Sequence, residues 1–178
     1  SRSLVHILSV ISLLLCAFRV IYVLPKENKE AHTMMNIFEE VYRGIQEAKK
    51  AYAAAASTAE QDAARAIYKQ ATAKLDGLSN TEQRIWNAYE TAKDCGNEYI
   101  DLNDTIRDDA VEGLVACMKK YGIEAFTFSS TWSSAVETAW LFQKAGCTLS
   151  GLIEINSQHK AFMSDEYEKA HGYLFKLN

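Results

Sequence analysis

Apolar side chains recur along this chain at two different periods, and the change from one to the other falls near Gly96. Ile37, Phe38, Val41, Tyr42, Ile45, Ala48 and Tyr52 stand three and four apart, which predicts an amphipathic helix from Asn36 to about Ala56. The run Ala53–Ala56 favours helix intrinsically. Ser57 and Glu60 have capping-box spacing, so a second helix is expected through Ala63, Ala66, Ile67 and Ala71 to Leu75. Asp76-Gly77 ends it; the two helices could equally merge into one long helix. Ser79 and Glu82 repeat the capping spacing and open a third helix through Ile85, Trp86, Tyr89 and Ala92 to Cys95-Gly96. The result is a helical hairpin or three-helix unit. Its alanine-rich faces allow close approach but bury little area, so it needs the rest of the protein or a second copy of itself.

Beyond Gly96 the period shortens. Glu98 to Leu102 alternates as a short strand. Asn103 or Asp104 is placed to cap a helix carrying Ile106, Ala110, Val111, Leu114, Val115 and Met118, which ends at Lys119-Lys120-Tyr121-Gly122. Ile123 to Ser129 predicts a second strand. Ser130-Thr131 opens a helix with Ala135, Val136, Ala139, Trp140 and Phe142, and Cys147 to Ile155 predicts a third strand. Two helices between three strands imply crossovers and mostly parallel pairing. The fold class read from the pattern is α+β: the helical unit, then a small β-α-β-α-β module with a three-stranded, mostly parallel sheet. The segments are 1–34 (apolar), 35–96 (helical) and 97–178 (α/β module). The last includes a tail from Asn156 to Asn178 that is polar, then amphipathic, and suited to fold back on the core.

The first segment stands apart. Leu4 to Leu24 is apolar except for His6, Ser9, Ser12 and Arg19, a transmembrane candidate by length and hydropathy. Arg19 would be costly inside such a span. Met34-Met35 precedes the first amphipathic helix, which suits an extension or packed segment before a start at that point. A cleaved signal is the third reading, although no A-x-A-like site follows the apolar run. A membrane role requires residues 4–24 to be a genuine anchor.

Charge changes the picture further. The chain carries 19 Lys/Arg against 23 Asp/Glu, a net charge of −4. Residues 1–34 hold four basic and two acidic side chains, whereas residues 97–178 hold seven and twelve. An acidic body disfavours direct binding to a phosphate backbone and suits either solubility or a basic partner. Cys16, Cys95, Cys117 and Cys147 form no CxxC or CxxH pair, which argues against a zinc site or a disulfide framework and fits a reducing cytoplasm.

Candidate chemistry is sparse. Ser129-Ser130-Thr131 falls at the end of a strand expected to be parallel and at a helix start, where ligands of open α/β sheets bind. No glycine accompanies these hydroxyls, so there is neither a P-loop nor a dinucleotide fingerprint, and no cofactor is expected. N-capping is the plainer account of them. A Cys147–His159 pair is conceivable, but a thiol opening a buried strand is the simpler reading. Asp101, Asp104, Asp108, Asp109 and Glu112 are the densest acidic group, and Asp104, Asp108 and Glu112 stand four apart, stacked on one helical face. Complementing the helix dipole explains much of the group. The functional reading is an acidic ridge that meets a basic partner in place of a row of phosphates. Trp132 and Trp140, eight apart, share a helical face expected to be a core stripe, with Trp132 the one expected to be exposed as an interface anchor.

The segment Tyr99–Asn156 resembles small uncharacterised proteins of plasmids, phages and integrated elements in anaerobic Firmicutes. The resemblance rests on Tyr99-Ile100-Asp101, Phe126-Thr127-Phe128-Ser129-Ser130 and Gln143-Lys144-Ala145-Gly146-Cys147. Some accessory proteins of such elements are anti-CRISPR inhibitors of type II CRISPR nucleases. The resemblance therefore implies a non-enzymatic inhibitor acting by contact on a basic nucleic-acid-handling protein, homo-oligomerisation being possible. A membrane-anchored cytoplasmic module, and a small hydrolase or transferase using the strand ends, are the alternatives.

Overall fold

The structure, a computed structural model, describes residues 29–103 and 108–178. Helix α1 (Lys29–Ala54) begins before Met34 and Met35, which therefore lie inside it rather than ahead of it. The apolar run Leu4–Leu24 falls outside the described residues. Ser57 caps α2 (Thr58–Thr72) in a full capping box: its hydroxyl accepts from Glu60 N, and the Glu60 carboxylate accepts from Ser57 N at 3.1 Å. The chain thus breaks at Ser57 instead of running on as one helix. A 3-10 turn (Ala73–Leu75) extends α2 to the predicted end. Ser79 and Glu82 form the second capping box, at α3 (Asn80–Cys95), and Gly96 ends that helix in the left-handed conformation, φ 71°.

Close approach of α1 and α2 depends on Gly44, where a Cβ would lie 2.7 Å from that of Ala71. Phe38 of α1 packs on Trp86 and Tyr89 of α3 and on Tyr121. Two hydroxyls fasten the same helices, Tyr89 donating to Glu39 and Tyr42 donating to Asp94 at 2.8 Å. The helical half shares one buried cluster with the sheet rather than forming a separate core.

Strand β1 (Ile100–Leu102) leads through a 3-10 turn (Asp108–Ala110) into α4 (Val111–Lys120). Then come β2 (Ala125–Phe128), α5 (Ala135–Lys144), β3 (Cys147–Lys160) and β4 (Tyr167–Leu177). Here the expected module needs correcting. Among the described residues the sheet has four strands in the order β1-β2-β4-β3 and is mixed. Only β1 and β2 are parallel; β4 lies between β2 and β3, antiparallel to both. The stretch read as a tail from Asn156 thus holds the end of β3, a turn and the central strand β4. The physical reason is local: β3 runs on past Ile155 and returns through a tight turn, so its antiparallel partner is the next segment of chain. Phe126 pairs with Phe175 and Phe128 with Tyr173, which places their rings on the face covered by Phe142 of α5.

The outer half of the β3–β4 hairpin is tied to the end of α3. Asn97 Nδ2 donates to Asn156 O at 2.9 Å, and Asn97 Oδ1 accepts from Asn156 N at 2.8 Å. Asn156 Nδ2 donates to Cys95 O at 2.7 Å, and the Tyr167 hydroxyl donates to Asp94 O at 3.1 Å.

Candidate functional site

The hairpin bends against the ends of the two parallel strands and leaves a polar cleft there. One wall is Asp101 and Asn103 at the end of β1, with Ser129, Ser130 and Thr131 after β2; the other is Gln158, His159, Lys169 and His171 of the hairpin. Its volume is about 560 Å³. A second hollow of about 540 Å³, with Asn80, Gln83, Arg84 and Asn87, shares Thr91, Asp101, Asn103 and Gln158 with the first. Asp101 is the hinge of this region. Its carboxylate accepts from the Thr127 hydroxyl at 2.8 Å and from the Ser129 hydroxyl, so neighbouring strands hold it in one position. Lys169 reaches Asn156 Oδ1 at 2.7 Å and pairs with Glu154 at 3.6 Å.

Helix α5 starts later than the hydroxyls after β2 suggested. Its N-cap, Ser134, makes no side-chain cap bond, and Ser130 Oγ instead accepts from Trp132 N at 3.1 Å. Ser129 bonds Asp101 rather than a helix end. The capping account of these hydroxyls is therefore corrected: they shape the turn and one wall of the cleft.

The described members of the acidic group fall on three successive elements, Asp101 on β1, Asp108 and Asp109 in the 3-10 turn and Glu112 on α4. Asp104 lies outside the described residues. Asp108 sits in a 3-10 turn, so the four-residue α-helical spacing does not run through it to Glu112. Asp109 and Glu112 are exposed, and Asp101 is engaged on β1. The cysteine–histidine pair is also excluded, because Cys147 is buried at the start of β3 while His159 is exposed near its far end. Burial raises the Cys147 thiol and pushes Cys117 up to about 11, which keeps both protonated at neutral pH.

Trp132 is exposed as expected, and Trp140 is exposed as well, contrary to the expected core stripe. Trp132, Val136 and Trp140 are 68%, 69% and 55% exposed; Val136 and Trp140 stand four apart on one face of α5, and Trp132 lies in the turn that leads into the helix. The buried side of α5 is Ala135, Thr138 and Phe142. Two apolar stripes compete on this short helix, and the sequence could not say which one the sheet would take. Lys144 lies over the Trp140 ring at 4.8 Å. The hairpin wall of the cleft was missed because the hairpin itself was missed; the alternation Tyr173, Phe175, Leu177 was its one signal.

These features define an α+β protein with a four-stranded mixed sheet, a strand-end cleft and an exposed aromatic ridge. A family model described as a domain of unknown function (DUF7698) matches residues 84–177, and the chain belongs to that family. The match runs from within α3 to the end of β4. No curated protein matches the chain, and no solved structure does.

Proposed function

We propose that this protein acts by contact, docking on a partner protein through the ridge of Trp132, Val136 and Trp140. The observation that carries this reading is the exposure of three large apolar side chains close together in sequence, Trp132 in the turn before α5 and Val136 and Trp140 one turn apart on it. Exposed aromatic anchors are costly to leave in water and are the residue type that dominates interface energetics. The partner class in this reading is a basic nucleic-acid-handling protein, with Asp109 and Glu112 as exposed acids that favour it electrostatically. A type II CRISPR nuclease is the first to test, on the strength of the sequence resemblance alone. Purified chain should co-elute with the nuclease and inhibit target cleavage, and Trp132→Ala with Trp140→Ala should remove both effects. Undisturbed cleavage at saturating chain would remove this partner. The membrane-anchored alternative turns on residues 4–24, which lie outside the described residues; among the described residues no helix is long and apolar enough to cross a membrane.

A second reading, a small hydrolase or transferase, is favoured by the strand-end cleft, whose volume falls in the range of small-molecule sites. In it, Asp101 orients and polarises the Ser129 hydroxyl toward a bound substrate. A panel of activated esters and phosphate esters tests this directly. Turnover abolished by Ser129→Ala and by Asp101→Asn supports the reading, and absence of turnover across the panel removes it.

A further inference from the structure

The tip of the β3–β4 hairpin presents two apolar side chains, Phe162 and Met163, each 92% exposed. They are not on a loose end. Ala161 N donates to Glu166 O at 2.9 Å, Ser164 N donates to Ala161 O at 3.0 Å, and Lys160 pairs with Asp165 at 3.3 Å. Met163 has φ 58°, the one positive φ outside glycine among the described residues. Glycine or asparagine would adopt that conformation at far lower cost. The tip is therefore a set turn that holds a methionine where backbone preference alone would not place one.

A matching surface exists on the opposite half of the protein. Between α1 and α2 the small side chains Ala48, Ala53 and Ala64 leave an apolar groove of about 270 Å³, walled by the part-exposed rings of Tyr52 and Tyr68. An apolar cavity of roughly 150 Å³ suffices for a benzene ring, so the groove has room for a phenyl ring with a methionine chain beside it. Lys49 and Arg65 border it, held by Asp94 at 4.0 Å and Asp62 at 2.9 Å in exposed pairs that water exchanges readily. The tip is flanked by Asp165, Glu166 and Glu168, so the two surfaces are complementary in charge as well as in polarity. High exposure of Phe162 and Met163 shows that neither occupies the groove of its own copy.

We propose that the hairpin tip of one copy seats in the α1–α2 groove of a second copy. Made reciprocally, the contact is isologous and closes a dimer; made in one direction only, it is heterologous and extends to larger assemblies. It uses none of the ridge on α5 and goes beyond the partner contact proposed above. Sedimentation velocity on the full chain over a wide concentration range tests it. Wild-type chain should associate with rising concentration. Phe162→Ser with Met163→Ser should raise the dissociation constant at least tenfold, as should Lys49→Glu with Arg65→Glu, with circular dichroism unchanged because all four side chains are at the surface. Mixing Lys49→Glu/Arg65→Glu chain with Asp165→Lys/Glu166→Lys chain should restore association, while Trp132→Ala/Trp140→Ala should leave it intact. Wild-type chain that stays monomeric throughout would overturn the proposal. So would association unaltered in the tip and groove variants, or a monomer whose tip binds phosphatidylcholine vesicles instead.

Discussion

The carboxylate of Glu82 closes the capping box at the start of α3 and also accepts the hydroxyl of Tyr121, the residue that ends α4. Tyr121 is itself fully buried against Phe38. One acidic side chain thus joins a helix terminus, a buried ring and, through Lys120 at 3.3 Å, the end of a second helix.

That arrangement holds the Glu82 carboxyl down at about 2, first through the Tyr121 hydroxyl and then through the Ser79 backbone and side chain. A depressed carboxyl contributes stability that is fully present above its unfolded value and is lost as pH falls through the folded one. Glu82→Gln should therefore unfold at lower urea than wild type at neutral pH. The gap should close as pH drops from about 4.5 to about 2. Tyr121→Phe keeps the ring and removes the donor, with an expected loss of roughly 1–3 kcal/mol at neutral pH. Denaturant midpoints across a pH series check both, and a gap independent of pH would contradict the relationship.

Gly44→Ala places a methyl group within 2.7 Å of the Ala71 Cβ, so α1 and α2 must separate. Overpacking of this kind costs on the order of 1–3 kcal/mol. Ala71→Gly should recover most of that loss in the double variant, because it removes the opposing carbon. Thermal unfolding of the two single variants and the pair gives the cycle.

Asn97→Ala removes two hydrogen bonds that clamp the hairpin to α3. We expect a loss of roughly 1–3 kcal/mol from the backbone groups left unpaired. Amide exchange should speed up around Asn156 and Tyr167 while the amides of β2 stay protected. Equal acceleration in β2 would mean that the hairpin and the sheet open as one unit.

Trp132→Ala and Trp140→Ala should change stability by no more than about 0.5 kcal/mol, as exposed side chains do. Phe142→Ala, on the buried side of the same helix, should cost roughly 3–5 kcal/mol. Chemical denaturation of the three variants separates a ridge kept for contact from one kept for packing.

The local signals in the chain determined the local structure. Ser57 with Glu60, Ser79 with Glu82, and Gly96 set helix ends with contacts between residues a few positions apart, so their chemistry is readable from spacing. The parallel pairing of β1 and β2 followed from the helix between them. Tertiary structure decided the rest. Tyr167 to Leu177 carries too little regular alternation to declare a strand, and its central place arises from pairing with β2 and β3 on its two sides. The choice between the Val136–Trp140 side and the Ala135–Phe142 side of α5 depended on which met Phe126 and Phe175. Asp101 looked like one member of an acidic row until the pairing of β1 with β2 brought Thr127 and Ser129 to its carboxylate. The partners that decided the side of α5 and the setting of Asp101 come from other elements of the chain, where periodicity along one segment carries no information.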